Sequence, residues 1–206
     1  MKKHSYGLVL VCFVVVVLAL VGTVSAKTWY VDDDGGMGID FTKIQQAVNA
    51  AHEGDTIYVY NGIYYENLTI DKELTLEGSG MPLVDAGGSG NVITIGADRC
   101  IIEGFKINRS GYDLEDAGIK VESDKNAIKN NIISNNWYGI HLGKYTSNNT
   151  VQNNNVISNK FRGISLDDHT SNNMVLNNTV NSNEDDGIEV DESDNNIVNN
   201  NLTSLD

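Results

Sequence analysis

The chain has 206 residues, 40% of them apolar, enough for one domain with a sizeable buried core and too many for a small disulfide-stapled scaffold. Lys and Arg total 14 against 28 Asp and Glu, a formal net charge of −14 with no basic run, which excludes a nucleic-acid binder that tracks phosphates. One Pro, 20 Gly and 27 Asn, 22 of the Asn after residue 121, point to an array of turns.

At the start of the chain, Lys2 and Lys3 precede an unbroken apolar run from Leu8 to Val21, and Val24-Ser25-Ala26 has the small-residue pattern of a cleavage site. Residues 1–26 therefore read as a secretory signal peptide, because the 14-residue run is shorter than the roughly 18 residues of a spanning helix. The expected mature chain begins near Lys27, contains no membrane span, and carries −16 once Lys2 and Lys3 are subtracted from −14. Cys12 lies inside the run, so Cys100 is the one cysteine of the mature chain. Beside Ile101 and Ile102 it is expected to be a buried filler rather than a reactive thiol.

Next, Phe41, Ile44, Ala47, Val48 and Ala51 recur at helical spacing, which predicts an amphipathic helix over 41–53 with Asp40 capping its first turn and Gly54 ending it. Alternating apolar positions follow at Ile57/Val59, Leu68/Ile70, Leu74/Leu76 and Ile93/Ile95, punctuated by Gly62, Gly78, Gly80 and Gly88, and read as short strands. The helix would cover the open edge of the first coil.

Beyond residue 117 the chain repeats. Gly118-Ile119-Lys120-Val121 recurs as Gly139-Ile140-His141-Leu142, Gly163-Ile164-Ser165-Leu166 and Gly187-Ile188-Glu189-Val190, at spacings of 21, 24 and 24. Interleaved are apolar pairs five apart: Ile128/Ile133, Val151/Val156, Val175/Val180 and Ile197/Leu202. An unbroken strand would point residues five apart to opposite faces, so a corner must separate them. The Asn pairs 130–131, 153–154, 177–178 and 199–200 occupy those positions, where Asn tolerates the left-handed backbone and can form a ladder between stacked coils. This in-phase pattern disfavours a disordered Asn-rich tail, and the lack of a Leu framework disfavours a leucine-rich repeat. The expected fold class is all-β, a parallel solenoid of 22–24-residue coils over 91–206 within a 27–206 domain. The last coil shows no closing segment, so continuation beyond Asp206 or end-to-end self-association is expected.

Phe41-Thr42-Lys43-Ile44-Gln45-Gln46-Ala47-Val48, Gly54-Asp55-Thr56-Ile57-Tyr58-Val59 and Gly62-Ile63-Tyr64-Tyr65-Glu66-Asn67 resemble the opening of right-handed parallel β-helix proteins of the pectin-lyase-like superfamily. The later coils are similar to the NosD-like, Asn-rich repeats of exported prokaryotic and archaeal surface proteins. The resemblance covers about residues 29–206 and implies a right-handed parallel β-helix, while leaving activity open. It admits polysaccharide lyases and glycoside hydrolases as an alternative, yet no catalytic residue carries over: Asp167-Asp168 and Asp185-Asp186 lack the hydrolase's accompanying Gly-His-Gly and Arg-x-Lys signatures, and Arg162 stands without the lyase's framework. A third reading, a periplasmic metal-related role, would need clustered ligands. His52, His141 and His169 are scattered, with His141 expected on the surface.

Aligning the coils on Gly-Ile places Phe161 over Trp137 and Arg162 over Tyr138. With His141, Asp167 and Asp168 at the rim, these residues form a candidate carbohydrate-binding strip; the competing arrangement turns Trp137 and Phe161 inward. Asp185, Asp186, Glu189 and Asp191 are weak calcium candidates, and otherwise no cofactor is expected. Asn67, Asn108, Asn148, Asn177 and Asn201 begin glycosylation sequons. The sequence thus describes a secreted or cell-surface protein, periplasmic in a Gram-negative cell, with a structural, adhesive or carbohydrate-binding role and extracellular glycans as partners.

Overall fold

The computed structural model describes residues 25–203, so the signal-peptide expectation falls almost wholly outside the described residues. Nearly every element is a short strand hydrogen-bonded in parallel to the strand one coil earlier and one coil later. The strands stack in three columns. The first runs from Thr28–Val31 through Thr56–Val59, Thr75–Gly78, Ile101–Glu103, Ala127–Lys129 and Thr150–Gln152 into Met174–Asn181. The second runs from Ile63–Tyr65 through Leu83–Asp85, Lys106–Asn108, Ile132–Ser134 and Asn155–Ile157 into the far end of that same Met174–Asn181 strand. The third is Leu68–Ile70, Ile93–Ile95, Ala117–Val121, Tyr138–Leu142, Ile164–Leu166 and Ile188–Val190. Such a parallel β-helix buries one apolar row per column: Ile119, Ile140 and Ile164 from the third meet Ile128, Val151 and Val175 from the first and Ile133, Val156 and Val180 from the second.

Corners follow one rule. A left-handed residue is followed by a buried one, as at Asn130 (φ 57°) and Asn131, Asn153 (φ 56°) and Asn154, and Asn177 (φ 55°) and Asn178. The buried Asn side chains form ladders. Asn131 Nδ2 donates to Asn154 Oδ1 at 3.1 Å and to Ile102 O at 3.0 Å, while Asn154 Nδ2 donates to Asn178 Oδ1 at 3.0 Å and to Ile128 O at 2.9 Å. Two further ladders run parallel to this one, Asn126–Asn149–Asn173–Asn196 and Asn136–Asn159–Asn183, at the other two corners. Each buried amide is thereby satisfied by its neighbours in the stack, so its burial is tolerated. The glycines of the Gly-Ile mark serve close approach: a Cβ on Gly139 would lie 2.4 Å from Gly163 O and 2.9 Å from Asn159 Nδ2.

The helix spans Ile44–Ala50, shorter than 41–53, and is not capped by Asp40 or ended by Gly54. Phe41 is held extended by its bridge to Val31, and Asp40 Oδ2 accepts from Tyr30 N–H. Instead Glu66 reaches across from another coil and accepts from Ile44 N–H (2.8 Å) and Gln45 N–H (3.0 Å), satisfying two of the free amides at the helix start. The chain leaves the helix at Ala51, in extended backbone, and His52 N–H turns to Asp55. Ile44, Ala47 and Val48 are buried in the core, and the Gln45 side chain pairs with both backbone groups of Thr69 at the open edge of the third column. The final apolar pair is Val198 and Leu202 by register, not Ile197 and Leu202: Val175 pairs with Val198 and Val180 with Leu202, one residue fewer apart.

Candidate functional site

The outward-facing residues of the third column are Thr69, Thr94, Lys120, His141, Ser165 and Glu189, one per layer. His141 is not a surface residue; it is 1% exposed. The Tyr138 ring stacks on its imidazole at 4.6 Å, Lys120 Nζ lies 3.1 Å from Nδ1, and Asp167 Oδ1 lies 2.9 Å from Nε2. Lys120, itself buried, also donates to Glu115 Oε2 at 2.8 Å, and this hydrogen bond holds the Glu115 carboxyl below its ordinary value. With an ammonium donor on Nδ1, the neutral tautomer carries its proton on Nε2, facing Asp167 in a contact too misaligned to count as a hydrogen bond. Burial, with Lys120 adding to it, pushes the His141 pKa down and keeps the ring neutral at pH 7.

On one side of this row lies the aromatic strip. Trp137 and Phe161 stack with centroids 5.3 Å apart and planes 21° from parallel, Tyr138 meets Phe161 edge-on at 5.2 Å, and Arg162 lies over the Phe161 face at 4.4 Å. Both stacked rings are partly exposed and stand outside the apolar core, so they do not plug the corner. Tyr112, absent from the sequence-based candidates, abuts Trp137 edge-on at 6.4 Å. Nothing in a repeat register reveals it, because it belongs to a loop one coil earlier. Arg162 pairs with Glu189 and lies 3.6 Å from Asp185, and Ser165 Oγ donates to Glu189 at 3.1 Å.

On the other side lies an open groove of about 310 Å³ lined by Glu115, Lys120, Glu122, Gly143, Lys144 and Asp167. Lys144 reaches Asp168 at 2.7 Å. Of the strip residues named from the sequence, Trp137, Tyr138, Phe161 and Arg162 come together beside His141, whereas Asp167 lines the groove while facing His141, and Asp168 pairs with Lys144 on the groove side. The calcium candidates do not converge: Asp185 and Glu189 are engaged by Arg162. Among the described residues the group of three or more acidic, His or Cys ligands whose atoms approach within 4.8 Å is Asp32, Asp33 and Asp34. Four sequon asparagines, Asn67, Asn148, Asn177 and Asn201, are exposed, whereas Asn108 is half-buried.

A parallel β-helix with a polar row and an aromatic strip along its third column defines the class. The chain belongs to the NosD family, whose model, described as "Periplasmic copper-binding protein (NosD)", matches residues 48–205. It is 36% identical over 106 residues to a cell surface glycoprotein of Methanothermus fervidus, covering 48% of this chain and 18% of that protein, so it spans less than a fifth of that relative. The fold resembles ORF18 of Geobacillus virus E2 (TM-score 0.61, 15% identity, 97% of this chain and 44% of that one). It also resembles pectin methylesterase from carrot (0.57, 14%, 82% and 64%) and pectin methylesterase PemA from Erwinia chrysanthemi (0.54, 18%, 77% and 56%). At these identities the likeness is one of fold. Copper, which the family description implies, is not matched by the donors among the described residues: His52 and His169 are exposed on separate turns, His141 is buried between Lys120 and Asp167, and the Asp32–Asp34 group offers only hard oxygens.

Proposed function

We propose that this chain is part of a cell-surface or otherwise exported β-helix protein whose third column binds carbohydrate, serving adhesion or surface structure. The observation that carries the reading is the Trp137–Phe161 stack outside the core, continued through Tyr138 to the polar row. Sugars present an apolar ring face and hydroxyl edges, which suits aromatic faces bordered by Arg162, Asp167 and Lys144. Location outside the cytoplasm is supported by the names given to the family and to the Methanothermus relative, and by the exposed sequons. Among the described residues no helix is long and apolar enough to cross a membrane. A glycan array with the wild-type chain and Trp137→Ala tests the reading. Hits that vanish in the folded variant are expected; equal binding by both refutes the strip, and turnover of a bound polysaccharide replaces a binding role with an enzymatic one.

A further inference from the structure

The groove beside the strip has a charge imbalance with a structural origin. The residues that close each strand of the third column read Gly96, Glu122, Gly143, Asp167 and Asp191, each amide donating to the strand end one coil earlier. Gly143 is the floor between two carboxylate walls two layers apart, roughly 9.6 Å at the spacing of parallel strands. The cations lining the groove are already engaged, Lys120 with Glu115 and Lys144 with Asp168. Glu122 has no ion-pair partner among the described residues, and Asp167 faces a neutral, 1% exposed imidazole whose Nε2 has no aligned acceptor.

We propose that the groove receives the ammonium of an amino sugar, held between Glu122 and Asp167 over Gly143, while neighbouring rings of the same glycan lie on Phe161 and Trp137. This rests on the carbohydrate reading and adds the substrate class. An ammonium restores the missing positive charge and donates to both walls, whereas an N-acetyl group adds bulk and carries no charge. Calorimetric titration of the whole chain with glucosamine oligosaccharides and with their fully N-acetylated counterparts tests it. The glucosamine series is expected to bind at least about tenfold more tightly, with Glu122→Gln, an exposed substitution, losing about tenfold for that series alone. Equal affinity for both series, or an unaffected Glu122→Gln, overturns the amine site and leaves the carbohydrate reading standing. Binding of neither series, with no array hit for any glycan, overturns both.

A separate observation lies at the other end of the molecule. Asp55 is 1% exposed and takes three neutral donors, Lys27 N–H at 2.7 Å, His52 N–H at 2.9 Å and Trp29 Nε1 at 3.0 Å. We infer that hydrolysis of the Ala26–Lys27 bond by an export peptidase completes this site. Water adds across the peptide, Ala26 leaves as a carboxylate, and the new Lys27 ammonium forms an ion pair with buried Asp55. The exported chain is expected by intact mass to begin at Lys27 and to melt higher than the same chain retaining Ala26, with the difference fading above about pH 8 as the amine deprotonates. A different start, or identical melting of the two forms below pH 7, overturns the inference.

Discussion

The coils up to Ser110 and those from Ala117 onward stack on the same three columns but fill the same corners with different chemistry. In the coil around residues 99–110, left-handed Arg99, Gly104 and Arg109 precede buried Cys100, Phe105 and Ser110. One coil later the equivalent buried positions are Asn126, Asn131 and Asn136, whose Oδ1 atoms accept from the amides of Cys100, Phe105 and Ser110 at 2.8, 3.0 and 3.0 Å. The coil at 99–110 thus fills its corners with Cys100, Phe105 and Ser110, each amide capped by an Asn of the next coil, whereas the late coils use self-repeating amide ladders. A ladder is compatible with any number of coils, whereas Phe105 fits one place, so the late region can vary its outward residues without changing its frame.

The largest effect should come from the apolar corner. Phe105→Ala is expected to cost about 3–5 kcal/mol through lost burial and a cavity, measured by denaturant unfolding. Asn154→Ala should cost somewhat less, about 2–4 kcal/mol, by leaving Asn131 N–H and Nδ2 without their shared acceptor. If the alanine costs nothing, the ladder is decoration and the contrast between regions fails. Cys100→Asn sharpens the comparison: its amide already docks on Asn126, so extending the ladder by one rung should cost under about 1 kcal/mol, while Asn126→Cys should cost more.

The two regions should also differ in acid. Burial opposes ionisation of Asp55, but the hydrogen bonds from His52, Lys27 and Trp29 outweigh it and hold the pKa below its ordinary 3.8. That contribution is therefore present above pH 3.8 and lost as pH falls through the lower native value. The native pKa of His141 likewise lies below its ordinary 6.5, so the stability it contributes is complete above pH 6.5 and declines as pH falls toward the native value. Stability measured against pH should lose its upper slope in His141→Gln and its lower slope in Asp55→Asn. A single slope untouched by His141→Gln contradicts the neutral, buried imidazole.

Much of this was legible in the sequence. The Gly-Ile marks gave the correct register of the third column, since Ile119, Ile140, Ile164 and Ile188 are hydrogen-bonded neighbours, and the stacking of Trp137 on Phe161 followed from it. One Asn ladder was visible because it sits between paired apolar residues. The other two were missed although Asn recurs at every fifth position, as in Asn126, Asn131 and Asn136, because their corners lack a flanking apolar pair. His141 was misplaced for a physical reason: pointing away from the core is not exposure when Tyr138, Lys120 and Asp167 close over the ring. Lys120 as its neighbour follows from the same register, whereas Glu115, which engages Lys120 and lines the groove, comes from a loop for which the repeat has no counterpart. The helix cap failed similarly, because Glu66 is remote in sequence from the amides it serves.

The claim that the strip is a carbohydrate platform is tested most directly by the fluorescence of Trp137 itself. Trp29 is the other indole, so a Trp29→Phe chain reports Trp137 alone. Titration with a glycan that scores on the array should shift and saturate this emission at the same concentration that saturates calorimetric binding. Calorimetric binding with an unchanged Trp137 spectrum would place the ligand elsewhere and contradict the account.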